Sequence, residues 1–250
     1  MYQRILFKLF RFWLSIKTVK PSSKLIRLGT EGCGWFIPEK NISKGNIAIC
    51  AGAGEDVSFD IALNAAGLDV YVLDPTPRAK QHIQNIINAF EKGRSFPINN
   101  ASEYYDLSKF DIARFHFHDV GLAAENGRLK FYAPADPEHV SHSIRNIQQT
   151  DTYFEASCQS YDNYLSTHNI AKVDIVKLDI EGAEYEVIDS ILDSKTKPKL
   201  LAVDFDELNI TISWKILKRI RHYILKLEKS QYRLISTNHS DFVFEKRPDQ

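Results

Sequence analysis

Cysteine is scarce in this sequence, and neither sign of charge is in excess. The 250 residues include three cysteines, Cys33, Cys50 and Cys158, which are scattered and show no C-x-x-C spacing. This pattern argues against a disulfide framework and a structural zinc site, and it favours a reducing, cytoplasmic compartment. Lys and Arg total 32, as do Asp and Glu. Because the net charge is near zero, nucleic acid is not among the predicted partners.

Long apolar runs are also lacking. A membrane-spanning helix needs ~20 predominantly apolar residues, but Arg4, Lys8 and Arg11 interrupt the N-terminal segment 1–20 at helical spacing. No small-residue cleavage site of a secretory signal follows this segment. The pattern predicts an amphipathic basic helix and a linker over residues 1–27. Two interpretations stay open: the helix makes peripheral contact with an anionic membrane or a partner, or it packs on its own domain.

Residues 28–250 are predicted to form one main domain in which strands and helices alternate. Buried strands at 46–52 and 69–74 are each followed by an amphipathic helix, at 56–66 and 77–90. Two strand–helix units within about 45 residues are typical of a parallel sheet with crossover helices. The remaining predicted elements are strands at 112–118, 173–180, 199–205, 232–237 and 241–246, and helices at 160–168, 183–192 and 212–229.

An insertion at about 120–150 interrupts this alternation. Asn126-Gly127 lies between two extended pieces there, and this dipeptide is a strong signal of a β-hairpin. At the end of the chain, a short turn joins the last two predicted strands. The sequence therefore predicts an α/β, Rossmann-like domain with a mostly parallel sheet that ends in an antiparallel hairpin strand.

A glycine-containing turn, A-G-A-G-E-D at 51–56, connects the first buried strand to its helix. Gly52 and Gly54 permit a left-handed backbone and a close approach to a ligand. The N-terminus of the following helix directs its free N–H groups at that ligand. The pattern is short, and a tight turn without a ligand is the alternative interpretation.

Asp74 ends the next strand, about 20 residues after the glycine turn, where a carboxylate can accept hydrogen bonds from a ribose diol. Both NAD and S-adenosylmethionine carry such a ribose. Val57 stands where a dinucleotide fingerprint requires a third glycine or alanine, and Glu55 and Asp56 would repel a pyrophosphate. An acidic turn suits the cationic sulfonium of S-adenosylmethionine better.

The segment K-L-D-I-E-G-A-E at 177–184 follows the clearest buried strand. Ligands of open α/β sheets bind at the carboxyl ends of strands, so Asp179, Glu181 and Glu184 are candidate site residues. Three interpretations stay open. The carboxylates orient the acceptor or the methionine moiety, they bind a divalent metal, or they stabilise the start of the next helix. The metal is the least favoured of the three, and we expect none.

Four segments together resemble the FkbM-type methyltransferases, in the same order and over about residues 28–205. They are L-G-T-E-G-C-G-W-F-I-P at 28–38, A-G-A-G-E-D-V-S-F-D at 51–60, V-Y-V-L-D-P-T-P-R-A at 70–79 and V-D-I-V-K-L-D-I-E-G-A-E at 173–184. The resemblance implies that 28–250 is an FkbM-like domain with a class I methyltransferase fold. It also implies S-adenosylmethionine as donor and O-methylation, often of sugars or hydroxylated natural products.

The same resemblance implies roles for individual residues. Gly52, Gly54 and Glu55 would line the methionine end of the donor, Asp74 would contact the ribose, and Asp119 the adenine. Ala53 and Asp179 complete the predicted cofactor-binding set. The family has no single agreed catalytic base, so the candidates are Asp179, Glu181 and His142.

The sequence thus predicts an O-methyltransferase that acts on a sugar, glycan or other hydroxylated small molecule. One alternative is an NAD-dependent oxidoreductase, against which Val57 argues. The other is a catalytically inactive, membrane-associated scaffold that uses the helix in 1–20. The intact Gly52, Gly54 and Asp74 argue against it.

Overall fold

The computed structural model describes residues 2–98, 103–132 and 150–248. The helices in these ranges are α1 (Tyr2–Lys17), α2 (Ser58–Ala65), α3 (Pro77–Glu91), α4 (Tyr161–Thr167), α5 (Glu184–Asp193), α6 (Glu207–Ile210) and α7 (Trp214–Lys229). The strands are β1 (Leu25–Leu28), β2 (Trp35–Pro38), β3 (Ile47–Ala51), β4 (Asp69–Leu73), β5 (Phe115–His118), β6 (Gly121–Ala123), β7 (Gly127–Tyr132), β8 (Tyr153–Ser160), β9 (Ile175–Leu178), β10 (Leu200–Asp204), β11 (Tyr232–Asn238) and β12 (Asp241–Lys246).

A seven-stranded sheet in the order β11-β12-β10-β9-β3-β4-β5 forms the centre of the domain. The five strands from β10 to β5 are parallel, whereas β12 runs antiparallel between β10 and β11. The order reverses between β3 and β9, which creates the crevice in which ligands of such sheets bind. This arrangement confirms the predicted class I methyltransferase fold with its terminal antiparallel hairpin.

Two hydrophobic clusters cover the sheet. One contains apolar side chains of α4, α5 and α7, and the other contains those of α2, α3 and the β1–β2 ribbon.

Capping residues fix where two of the helices begin. Thr76 caps α3 by accepting the Ala79 N–H, and Ser213 caps α7 in the same way through the Ile216 N–H. Each cap satisfies an N–H group that would lack a partner in the first helical turn.

The predicted hairpin around Asn126-Gly127 is wrong. β6 and β7 do not pair with each other, because β8 lies between them and pairs with β6 in parallel and with β7 antiparallel. The side chain of Asn126 instead accepts the N–H of Ser160 at the end of β8. The turn therefore holds a third strand, β8, in place. Because β8 lies more than 20 residues beyond the turn, the Asn-Gly dipeptide alone could not predict this pairing.

The N-terminal segment contains an amphipathic helix, α1, as predicted. Its Phe10 and Leu14 are buried in the cluster that also contains α5 and α7. Just after the helix, the Val19 N–H donates to the carbonyl of Leu234 in β11 at 2.9 Å. One side of α1 thus packs on its own domain.

No helix in the described parts of the chain combines the length and apolar character needed to cross a membrane.

Candidate functional site

A cavity of about 580 Å³ opens at the carboxyl ends of the parallel strands, beside the switch point between β3 and β9. It is lined by the glycine turn after β3, the ends of β4, β9 and β10, and the start of β12. Gly121, Leu122 and Phe131 of the small β6-β8-β7 sheet form part of another wall. The cavity is within the usual size range of small-molecule sites, about 300–1,000 Å³.

The two glycines of the turn serve different purposes. Gly52 has a left-handed φ of 86°, and a Cβ there would overlap the carbonyl oxygen of Asp179. Its missing side chain lets the turn after β3 pack against the end of β9. Gly54 has a φ of 54°, and a Cβ there would meet no heavy atom within 4 Å. Gly54 lines the cavity, so a side chain at this position would occupy space available to a ligand.

Asp74 is buried at the end of β4 and shapes the glycine turn. Its Oδ2 accepts the N–H groups of Ala53 and Gly54 at 2.8 and 3.0 Å, and its Oδ1 accepts the N–H and the hydroxyl of Thr76 at 2.7 and 2.6 Å. A carboxylate offers about four acceptor positions, and these bonds use them. Any ribose contact of Asp74 would be made in exchange for, or by sharing, one of them.

Lys177 lies buried in β9 and connects the glycine turn to the segment 177–184. Its Nζ donates to the carbonyl of Gly52 at 2.6 Å and lies 3.0 Å from Oδ2 of Asp179. Burial alone would lower the pKa of Lys177, but the carboxylates of Asp179 and Asp60 outweigh burial and raise it. The ammonium is therefore charged, and it pairs with Asp179 at the edge of the cavity.

The cavity wall is strongly acidic. Its lining includes the carboxylates of Glu55, Asp56, Asp74, Asp179, Glu181, Asp204, Asp206 and Asp241. No Lys or Arg belongs to this lining among the residues that the structure describes. A concave site lined by one sign of charge concentrates ligands of the opposite sign, so the cavity favours a cation.

Three of these carboxylates have raised pKa values. Burial, and then the charge of Asp179, raises the pKa of Asp204 to about 8 and that of Asp241 to about 6. Burial, and then the charge of Asp204, raises the pKa of Asp206 to about 12. Some of this wall is thus protonated at neutral pH, and a bound cation would favour ionisation.

One group of carboxylates has the spacing of a metal site. Single oxygens of Asp179, Glu181 and Asp206 all lie within 4.8 Å of one another. Such oxygen ligands suit a divalent cation, and they suit an organic cation equally well. The expectation that the protein needs no metal therefore stays a prediction.

The remaining candidates from the sequence lie in different places. Glu184 is buried outside the cavity wall, where its carboxylate accepts the N–H groups of Ile180 and Gly182 and so stabilises the turn before α5. Asp119 also lies outside the lining and pairs with Lys80 at 2.6 Å. His142 lies outside the described residues.

The sequence did not single out Asp204, Asp206 or Asp241. Asp204 ends a buried parallel strand, so the rule applied to Asp74 would have found it. Asp241 begins the antiparallel strand β12 and reaches the cavity only because it pairs with Asp204. His82 was also missed. It lines the cavity, and its Nε2 lies 2.8 Å from the hydroxyl of Tyr105, while burial lowers its pKa.

Methyltransferases are among the solved structures that the chain resembles. Among solved structures, an rRNA methylase from Streptococcus thermophilus is 12% identical (84% of this chain, 91% of that chain, TM-score 0.41). Magnesium protoporphyrin IX methyltransferase from Synechocystis PCC 6803 is 12% identical (98% and 80%, TM-score 0.38). Precorrin-6y C5,15-methyltransferase from Geobacter metallireducens GS-15 is 10% identical (84% and 85%, TM-score 0.37).

These structural similarities are too distant to assign a function, and no curated protein matches the chain. The sequence itself gives the assignment, because residues 43–234 match the methyltransferase FkbM domain. That match spans more than half of the chain and includes both the glycine turn and the segment 177–184. The chain therefore belongs to the family of methyltransferases that share the FkbM domain.

Proposed function

We propose that this S-adenosylmethionine-dependent methyltransferase transfers its methyl group to a hydroxyl of a neutral sugar, glycan or related metabolite. The observation that supports this proposal is the acidic cavity of about 580 Å³ at the switch point, a size typical of small-molecule sites. The same acidic wall argues against an NAD-dependent oxidoreductase, because a dinucleotide would bring an anionic pyrophosphate to it.

The residues present fit the donor. Gly54 leaves open space at the glycine turn, and the surrounding carboxylates offset a positive charge. The ammonium of Lys177 contacts the carbonyl of Gly52 and the carboxylate of Asp179. The turn therefore presents a rigid backbone and a negative wall to the sulfonium end of the donor.

When bound, the donor supplies a methyl group activated by its sulfonium. A C–O bond to the acceptor forms as the C–S bond breaks, and the hydroxyl proton passes to a base of the protein. Asp179 pairs with Lys177 and is suited to orient the acceptor hydroxyl. Glu181 lines the cavity close to Asp179 and is our candidate for the proton acceptor. Positioning of the two reactants supplies much of the rate.

The charge of the wall limits the acceptor. Ionised carboxylates repel phosphate and sulfate groups, whereas they accept hydrogen bonds from hydroxyl groups. We therefore expect a polyhydroxylated acceptor without acidic groups near the reacting oxygen. A nucleic-acid strand, with a phosphate at each nucleotide, does not meet this requirement.

Isothermal titration tests the donor half of the proposal. The protein should bind S-adenosylmethionine and S-adenosylhomocysteine, and not NAD. Gly54→Ala should weaken this binding at least tenfold, because its methyl group enters the cavity. Gly93→Ala is the matched control, since Gly93 has a similar left-handed φ of 61° and equally open surroundings outside the cavity lining. Equal affinity of the two variants would contradict the proposed binding mode.

A transfer assay tests the acceptor half. The protein is incubated with methyl-labelled donor and with neutral sugars, their phosphorylated counterparts and RNA, and the labelled products are identified by mass. We expect O-methylated neutral products. Exclusive labelling of phosphorylated sugars or of RNA would overturn the acceptor assignment while leaving the donor assignment intact.

A further inference from the structure

The outer side of α1 carries a stripe of exposed apolar residues. Ile5, Leu9, Phe12 and Ile16 are 49, 61, 66 and 65% exposed. Their spacing of four, three and four residues places them along one line of the helix. Scattered exposed apolar side chains are normal, but four large ones in a row mark a surface that contacts something apolar. This stripe is distinct from the inner face, where Phe10 and Leu14 are buried.

A basic stripe runs beside the apolar one. Arg4, Lys8 and Arg11 are all exposed, and α1 contains no acidic residue. The helix therefore shows three faces: an inner face packed on the domain, an outer apolar face and a flanking cationic face. A helix that only packed on its own domain would need the first of these alone.

Helix α7 extends the same surface. The two helices run in the same direction, because Arg221 lies 5.6 Å from the ring centre of Trp13 and Glu228 pairs with Lys17 at 2.8 Å. The solvent-exposed side chains of α7 include Trp214, Lys215, Lys218 and Arg221. Together α1 and α7 carry ten Lys and Arg residues against one acidic residue, Glu228, in a chain with 32 of each kind. Positive charge is thus concentrated on these two helices.

We propose that the α1–α7 surface docks on an anionic lipid bilayer. Ile5, Leu9, Phe12 and Ile16 enter the boundary between headgroups and acyl chains, and the flanking Arg and Lys side chains contact acidic headgroups. Amphipathic helices with basic polar faces bind membranes in this way. A nucleic acid would pair with the charges but would leave the apolar stripe in water. A second copy of the chain would cover the stripe but would bring two cationic surfaces together.

Vesicle flotation of the full chain tests the proposal. We expect binding to vesicles of phosphatidylcholine and phosphatidylglycerol in equal amounts, and at least tenfold weaker binding to phosphatidylcholine alone. The double variant Leu9→Ser, Phe12→Ser and the triple variant Arg4→Glu, Lys8→Glu, Arg11→Glu should each weaken binding to the mixed vesicles at least tenfold. High salt should weaken the binding of the unmodified protein.

Matched controls change the same chemistry elsewhere on the surface. Ile112→Ser removes an exposed apolar side chain, and Lys92→Glu, Arg94→Glu, Lys109→Glu reverses three exposed charges. Both should float like the unmodified protein. All variants should keep the unmodified thermal midpoint and affinity for S-adenosylhomocysteine, because the substituted side chains are exposed and lie outside the cavity lining.

Flotation that is equal for the variants and the unmodified protein would overturn the proposal. So would a gel shift with single-stranded RNA in the absence of vesicle binding, which would indicate a nucleic-acid surface. A dimer in sedimentation analysis that Leu9→Ser, Phe12→Ser converts to a monomer would also overturn it, because a second copy would then cover the stripe. None of these outcomes depends on methyl transfer.

Discussion

The ammonium of Lys177 lies 2.6 Å from the carbonyl oxygen of Gly52. Through this bond a charged side chain of β9 fixes the turn after β3, although 125 residues separate the two in sequence. The same ammonium holds Asp179, so one buried cation connects the proposed donor site to the proposed acceptor site.

We expect Lys177→Met to lower the free energy of unfolding by about 1–3 kcal/mol, because the Gly52 carbonyl loses a charge-assisted hydrogen bond and the half-buried Asp179 loses its partner. Donor affinity should fall as well, since the Gly52 carbonyl loses its anchor. Urea unfolding and isothermal titration measure the two effects. The control Lys80→Met breaks an exposed pair with Asp119 and should change stability by less than about 1 kcal/mol. Equal effects of the two variants would contradict a central role for Lys177.

Asp74→Asn should distort the glycine turn. An amide keeps one oxygen but replaces the other with an NH₂ group, which cannot accept a hydrogen bond. The variant therefore loses either the bonds from the N–H groups of Ala53 and Gly54 or the bonds from the N–H and hydroxyl of Thr76. We expect stability to fall by about 1–3 kcal/mol, as for a buried hydrogen bond left unmade. Asp106→Asn, at an exposed carboxylate, is the control.

A donor analogue separates the two roles of Asp74. If Asp74 acts on the turn alone, the Asp74→Asn substitution should weaken the binding of S-adenosylhomocysteine and of its 2′-deoxy analogue by the same factor. If Asp74 also binds the ribose, the variant should discriminate less between the two ligands than the unmodified protein does. Titration of both ligands against both proteins measures this difference.

His118 should make the protein less stable in acid. Burial, and then the charges that His168 and His116 would carry, lower the pKa of His118 to about 4. Its Nδ1 lies 2.7 Å from the hydroxyl of Tyr164, and its ring stacks on His168 at 4.1 Å and lies edge-on to Tyr71. Between about pH 4 and 6.5 the unfolded chain binds this proton and the folded protein does not. Stability should therefore rise with pH across this window.

Urea unfolding at several pH values in the window measures this effect. His118→Gln should flatten the rise by about 1–2 kcal/mol, a magnitude reduced because the ring is partly exposed. His222→Gln, which changes an exposed histidine on α7, is the control. An identical slope in the unmodified protein and in His118→Gln would contradict the assignment.

Removal of an aromatic side chain should have different effects on the inner, buried face and the outer, exposed apolar face of α1. Phe10→Ala removes a buried ring and should lower the free energy of unfolding by about 3 kcal/mol. Phe12→Ala removes an exposed ring and should change it by less than about 0.5 kcal/mol. Chemical denaturation of both variants measures the difference. If Phe12→Ala destabilised the protein as strongly as Phe10→Ala, the outer stripe would contribute to the fold itself.

The sequence predicted those parts of the site that depend on neighbours in the chain. The glycine turn at 51–56 and the carboxylates at 179 and 181 each follow a buried strand directly, and the rule that ligands bind at the carboxyl ends of parallel strands locates them. Asp241 could not be predicted in this way, because only the register of β12 against β10 brings it to the cavity. The bonds of Asp74 to Ala53 and Gly54 likewise depend on the three-dimensional approach of two loops.

The position of β8 has a consequence for synthesis of the chain. β6 and β7 emerge first, but among the described strands each pairs only with β8, which begins at Tyr153. Until that residue has emerged, both strands present unpaired N–H and C=O groups along open edges, and such edges recruit strands from other molecules. The β6-β8-β7 sheet is therefore completed only when the chain has emerged through Ser160.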